Sequence, residues 1–239
     1  RSYERFFEQW VHGVGAPTLD VNYAWDEKAK LARVSVKQTQ KISDDAHLFQ
    51  FPLPLRFKSK SGVTDHVVQV REKEEDFYLP LKAAPDVVRV DPSLTVLARV
   101  NFKPATPMLF AQLADKGDFL GQHHALDNLA GRNDGETIAK LKAALNSDSH
   151  HVIRERATDL LKQAHTDDAL AALLASTAQS DARVRNAVVA ALGGYYHHDA
   201  FAALKQSLAT EKNPGIQATA LRALRAARMG RARATPWLG

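Results

Sequence analysis

Between Ile138 and Leu224 the apolar residues of this sequence recur in blocks 31 or 32 positions apart, a pattern that few folds can accommodate. Ile153, Ala157, Leu160 and Leu161 are followed by Val184, Val188, Ala191 and Leu192, then by Ile216, Ala220, Ala223 and Leu224. Within each block the spacing is that of one face of an α-helix. A second series precedes the first at the same offsets: Ile138 and Leu141, Leu170 and Leu173, Phe201 and Leu204. Two helices per unit at this period predict a solenoid, because no unit can bury its apolar face alone and neighbours must stack. Asp148-Ser149, Ser180-Asp181 and Asn213-Pro214 supply caps or first-turn residues for the second helix of each unit. Upstream, the stretch from Pro107 to about Leu129 reads as a degenerate first unit, and Gly131-Arg132-Asn133-Asp134-Gly135 as the turn after it.

Before Pro104 the period changes to two. Leu19, Val21, Tyr23 and Trp25 alternate with polar or small residues, as do Ala32, Val34 and Val36. Phe49, Phe51, Leu53, Leu55 and Phe57 alternate too, although Pro52 and Pro54 cannot donate ladder hydrogen bonds and predict an edge or bulged strand. Val67 to Val70, Phe77 to Leu81, Val87 to Val90 and Ala98 to Phe102 read as further short strands between turn residues such as Lys60-Ser61-Gly62 and Asp91-Pro92-Ser93. Strands this short, with no helix between them, predict an antiparallel β-sandwich. The fold class is therefore mixed with separate β and α domains: an antiparallel β-sandwich followed by an all-α HEAT-like solenoid.

The first dozen residues form a helical pattern, with Tyr3, Phe6, Phe7 and Trp10 on one face and Gly13 and Gly15 ending it. A helix with so large an aromatic face and no cap before it is expected to be the tail of a longer element and to pack on the sandwich or on another copy. The formal net charge of +5 resides in the last segment. No acidic residue follows Glu211, whereas Lys212, Arg222, Arg225, Arg228, Arg231 and Arg233 all do. Arginines at that spacing make a basic helix face, which reads as the polar cap of a solenoid end. With no aromatic residue among them before Trp237, they predict no nucleic-acid partner. No apolar run is long enough for a transmembrane segment. Without cysteine the chain has neither disulfides nor thiolate metal ligands, which leaves its compartment open.

Chemistry-bearing patterns are few. Three histidine doublets, His123-His124, His150-His151 and His197-His198, invite a metal reading. Neighbours on a helix point about 100° apart, however, and no doublet sits in a His-Glu-x-x-His frame, so no metal ligand is assigned. Gly13-Val14-Gly15 leads into a strand, the wrong order for a dinucleotide-binding turn. The run Arg71-Glu72-Lys73-Glu74-Glu75-Asp76 reads as a solvated hairpin face. No catalytic residue is predicted.

The stretch from Phe6 through Trp10, Gly13, Pro17 and Val21, then Trp25-Asp26 and Val34 to Gln40, resembles the junction in aminopeptidase N-like zinc metallopeptidases, the gluzincins. In that family the last helix of a thermolysin-like catalytic domain leads into a small β-sandwich and then a HEAT-like helical domain. The resemblance implies three segments: 1–16, the end of the last helix of a missing catalytic domain; 17–104, the sandwich; and 105–239, the helical C-terminal domain. It implies a zinc cofactor for the parent protein and none in this fragment. The implied partners are the missing N-terminal and catalytic domains, with peptide as the parent's substrate. The expected function is a non-catalytic portion in which the sandwich is a spacer and the solenoid restricts peptide access. The alternative is a peptidase-like interaction scaffold, as in a subunit of the general transcription factor IID. Free apolar surface should lie on the first helix in the former case and along the repeats in the latter.

Overall fold

The computed structural model describes residues 3–42 and 48–234, with side chains throughout except those of Arg5 and residues 227–234. Two compact units make up the chain, Arg1–Gln112 and Leu113–Gly239, and the division falls inside a helix, α2 (Thr106–Ala114).

The first unit opens with α1 (Glu4–Phe7), which runs directly into a π-helical segment over Glu8–His12. Seven strands follow: β1 (Thr18–Asp26), β2 (Leu31–Gln38), β3 (Phe51–Ser59), β4 (Gly62–Val70), β5 (Glu74–Pro80), β6 (Val87–Val90) and β7 (Arg99–Phe102). They form a four-stranded sheet in the order β5-β2-β1-β7 and a three-stranded sheet in the order β4-β3-β6. Pairings are antiparallel except that β7 lies parallel to β1, with Leu19 opposite Val100 and Val21 opposite Phe102. The inward phase of each alternating strand makes one core. Leu19, Val34 and Val36 from one sheet meet Leu53, Leu55, Phe57 and Val88 from the other.

β3 is central in its sheet, contrary to the edge position that its prolines predict. The register explains the difference. β6 pairs with β3 only over Leu55 to Lys58, while β4 pairs along its whole length. The Pro54 carbonyl accepts from the Asp91 N–H at 2.8 Å, so Pro54, and Pro52 in the same phase, face the β6 side just beyond where β6 ends. Their missing N–H groups cost no ladder bond, and the strand is single-sided only where the prolines stand.

The second unit is helical: α3 (Phe119–Leu129), α4 (Gly135–Leu145), α5 (His151–Ala164), α6 (Asp167–Leu174), α7 (Ala182–Leu192), α8 (His198–Thr210) and α9 (Pro214–Ala234). These pair as α4/α5, α6/α7 and α8/α9, and α5, α7 and α9 also pack in succession. The repeating positions form the core: Ile138, Leu141, Ile153, Leu161, Leu173, Val184, Leu192, Leu204 and Ile216 are all buried. Side chains cap the helix starts. Asp134 accepts from Thr137 N, Thr166 from Ala169 N, Asp181 from Arg183 N and Asn213 from Gly215 N, each such cap contributing about 1 kcal/mol. Before α5 the cap is His150, while the buried Ser149 hydroxyl accepts from Gln122 of α3. Gly193 ends α7 where a β-carbon would lie 2.7 Å from that of Ala223, so glycine permits the close approach of α9.

Candidate functional site

The aromatic face of the first helix is divided by the π-helical segment, whose wider turn shifts the residues after Phe7 around the axis. Trp10 packs on the sandwich, 5.1 Å from Phe49 and 6.4 Å from Phe51 between ring centroids. The Gln9 amide fixes the segment by donating to Gln50 O at 2.9 Å and accepting from Gln50 N at 2.7 Å. Tyr3, Phe6 and Phe7, expected to pack on the sandwich or on another copy, are exposed in the single chain, Phe6 and Phe7 in edge-to-face contact with each other at 5.7 Å. A groove of about 730 Å³ runs beside them, lined by Phe6, Trp10, Pro52, Pro54, Val67 and Leu97. Val11 and Val14 extend the exposed apolar surface.

The run at 71–76 is not a hairpin face, because β4 and β5 lie in different sheets: residues 71–73 make the crossing and 74–76 open β5. The Glu75 carboxylate accepts from the backbone N–H groups of Arg71 at 2.6 Å and Glu72 at 3.1 Å, while Glu74 pairs with Lys37 at 2.9 Å. Gln38, buried at 1% exposure, holds this crossing from inside. Its amide donates to Phe49 O and Glu72 O and accepts from Phe49 N and Gln40 Nε2. Nothing in the sequence reasoning singled it out, although it continues the inward phase of Val34 and Val36.

The histidine doublets take up capping and packing roles. His123 pairs with Asp127 at 3.1 Å, and the His124 ring nitrogen lies 3.2 Å from the Asn128 amide. His150 caps α5 and stands edge-to-face with Phe119 at 5.3 Å. His151 lies between Glu155 at 3.4 Å and the Arg183 guanidinium at 2.9 Å. Because arginine only donates, Nε2 is the accepting nitrogen, and Nδ1 is turned to the carboxylate. His197 caps α8, accepting from Asp199 N at 3.2 Å.

Among the described residues, one group has the mutual spacing of metal ligands: His197, His198 and Asp199, whose candidate atoms lie within 4.8 Å of one another. All three are exposed consecutive residues at one helix start, and His197 Nδ1 already serves as the cap. A catalytic zinc centre needs three ligands oriented by outer hydrogen bonds in a sheltered cavity. This donor set does not fit one.

Between repeats the polar groups form a ladder. Gln122 donates to Leu113 O at 2.8 Å and Ser149 Oγ at 3.0 Å; Asn146 donates to Ser176 Oγ at 2.7 Å and accepts from Gln179 at 2.9 Å. Arg154 and Arg185 occupy the same position of successive repeats. Arg154 donates to Leu145 O and the Gln179 side chain, and Arg185 to the carbonyls of Gln179 and Ser180. Arg185 also grips Glu211 at 2.9 Å, and that guanidinium, with the N–H groups of Asn213 and Lys212, holds the Glu211 carboxyl below its ordinary range. A second groove, of about 700 Å³, opens between α7 and α8 with Arg185 and Glu211 at one end and Asp199 at the other. Of the basic series at the end of the chain, Arg222 and Arg225 are exposed; the side chains of Arg228, Arg231 and Arg233, and Trp237 altogether, lie outside the described residues.

A model of HEAT repeats matches residues 106–193, in agreement with the helical pairs. No curated protein sequence gives a match. Among solved structures, aminopeptidase A of Legionella pneumophila, determined in complex with aspartic acid, superimposes with a TM-score of 0.59 at 15% identity. The match covers 96% of this chain and 34% of that one. In fold, the chain is similar to about a third of an aminopeptidase. Human deoxyhypusine hydroxylase, in complex with glycerol, matches over 53% of this chain and 46% of its own at 22% identity, with a TM-score of 0.44 that is too low to argue from. No described helix is long and apolar enough to cross a membrane.

Proposed function

We propose that this chain is the non-catalytic C-terminal portion of a zinc-dependent aminopeptidase, with the sandwich as a spacer and the solenoid restricting peptide access to the active site of the intact protein. The observation that carries the reading is the fold likeness to an aminopeptidase across 96% of the chain, a span that takes in both units. The distribution of apolar surface supports it. Tyr3, Phe6, Phe7, Val11 and Val14 leave a contiguous stretch of exposed side chains around the first helix, where an upstream domain would cover them. Along the repeats the exposed large apolar residues, such as Leu120 and Tyr196, are scattered, which does not favour an interaction scaffold. In the parent, a zinc centre on an upstream His-Glu-x-x-His helix would supply an activated water. This chain's contribution is shape.

Metal analysis after mild chelation, together with a chromogenic leucine or alanine amide assay, tests the reading. The chain alone should retain no stoichiometric zinc and show no turnover, whereas a protein extended upstream through the zinc motif should retain zinc and hydrolyse the amide. Near one equivalent of retained zinc in the chain alone, or turnover by it, would overturn the assignment.

A further inference from the structure

We propose that the groove between α7 and α8 binds a short, extended peptide with both ends free, about five residues long, lying along α8 with its ammonium at Asp199 and its carboxylate at Lys212. This inference stands on the groove itself and does not depend on the aminopeptidase reading.

The groove has the size of a ligand site: about 700 Å³, within the range of roughly 300–1,000 Å³ usual for such sites. Its shape follows from α8. Asp199, Ala202, Ala203, Gln206 and Thr210 all line it, and their spacing of three and four places them on one face of that helix. The two alanines bring no bulk, so the gap opposite Leu174, Val189 and Leu192 stays open and apolar in its middle. α8 has 13 residues against 8 in α6, its counterpart one repeat earlier, so its last turn lengthens the groove.

The ends carry opposite charge. At the amino end of α8 the Asp199 carboxylate is half exposed, with His198 Nδ1 2.8 Å away. At the other end Glu211 is matched by Arg185, which is itself fully engaged with Glu211 and two carbonyls. That leaves Lys212, exposed and with no ion pair among the described residues, as the unbalanced charge there. The helix ends reinforce this polarity. Arg185, in the first turn or so of α7, touches Glu211, and Pro214 opens α9, so two amino ends with partial positive charge meet the carboxyl end of α8. Near Asp199 the partial charge of the α8 amino end is about half a unit, less than the full charge of the carboxylate.

Length selects the ligand. From Asp199 to Thr210 the helix rises roughly 16 Å at about 1.5 Å per residue, the reach of about five residues at roughly 3.3 Å each. On the wall, the Gln206 amide and the Thr210 hydroxyl, which donates to the Gln206 carbonyl and can still accept, can meet the backbone of an extended chain.

Calorimetric titration of the full chain with the pentapeptide Ala-Leu-Ala-Leu-Ala, free at both ends, should give saturable one-to-one binding. N-acetylation of the peptide and Asp199→Asn should each weaken it about five-fold, and together no more than either alone, since both remove one charge pair. C-amidation and Lys212→Gln should behave as a second such pair. Lys205→Gln, on α8 but outside the groove with its ammonium over the Phe201 ring, should leave affinity unchanged. Thermal melts of the variants should show each to be folded. No saturable heat with the wild-type chain, capped peptides binding as well as free ones, or Lys205→Gln weakening binding as much as Lys212→Gln would each overturn the proposal.

Discussion

The two units solve the same problem, burying apolar faces while satisfying the polar groups between them, over different distances along the sequence. In the sandwich, Asn101 bonds to Asp20 across 81 residues, and Gln38 ties together segments 11 and 34 residues away. In the solenoid the side-chain links reach one repeat: Gln122 to Ser149 over 27 residues, Asn146 to Ser176 over 30, Gln179 to Asn146 over 33. A structure held by next-neighbour contacts can lose one repeat and keep the others, whereas a sandwich whose first and last strands are paired loses its core as a whole.

Core truncation should show the largest effect. Leu161 in α5 and Leu55 in β3 are both fully buried, so Leu161→Ala and Leu55→Ala should each cost about 2–5 kcal/mol. What distinguishes the units is where amide hydrogen exchange quickens. For Leu161→Ala the loss of protection should be concentrated in α4 to α7 and fade toward α9. For Leu55→Ala it should spread through all seven strands. Uniform loss across α3 to α9 in the first variant would mean that the solenoid is as cooperative as the sandwich, and the contrast would fail.

Buried amides give a smaller effect. Gln38→Leu keeps the volume but leaves the Phe49 N–H and the carbonyls of Phe49 and Glu72 without their partner, at a cost of about 2 kcal/mol. Gln179→Leu removes bonds to Asn146, the Ser176 carbonyl and the Arg154 guanidinium, but Asn146 is exposed and Arg154 only half-buried, and it should cost about half as much. Equal losses in chemical denaturation would mean that solvent does not substitute for the solenoid ladder.

The same difference in range governs what the sequence reveals. Helix pairs were legible because the period of 31 or 32 residues is written locally, and Ile153, Val184 and Ile216 all prove buried. Most strands were legible from their alternation, and β6 over Val87–Val90, buried at every position, from its short valine-rich run between turns. Pairing was not, because it depends on partners far away: the central place of β3 and the parallel β1/β7 pair follow from where β6 stops and where β7 returns. At the first helix the i, i+3, i+4, i+7 pattern assumed regular α-helical turns, and the π-helical segment separated Trp10 from Phe6 and Phe7. The α7/α8 groove had no local signature either, since alanines that face a gap read like alanines that face a neighbour.

Acid separates the units by the smallest margin. In the solenoid, folding lowers the pKa of Glu211 through the Arg185 guanidinium, of Asp181 through Arg183, of Asp148 through Lys116 and of Asp134 through the Thr137 N–H. In the sandwich the lowered carboxyls are Asp65, beside Arg56, and Glu27, beside Lys30. A carboxyl whose pKa falls on folding releases a proton that the unfolded chain would hold at the same pH. Its contribution is complete above the ordinary values, 3.8 for aspartate and 4.5 for glutamate, and is lost as pH falls through the lower folded-state values. Two optical probes distinguish the units: in a Trp237→Phe background, Trp10 and Trp25 report the sandwich by fluorescence, and circular dichroism at about 222 nm follows the helices. Between pH 6 and pH 3 the helical transition should shift to lower temperature by more than the tryptophan transition. Glu211→Gln should narrow the gap, because glutamine cannot lose the charge that Arg185 engages. High salt should narrow it further for the exposed pairs, which screening weakens at neutral pH. A tryptophan transition that moves as far as the helical one would place the acid-sensitive contacts in the sandwich and reverse this part of the comparison.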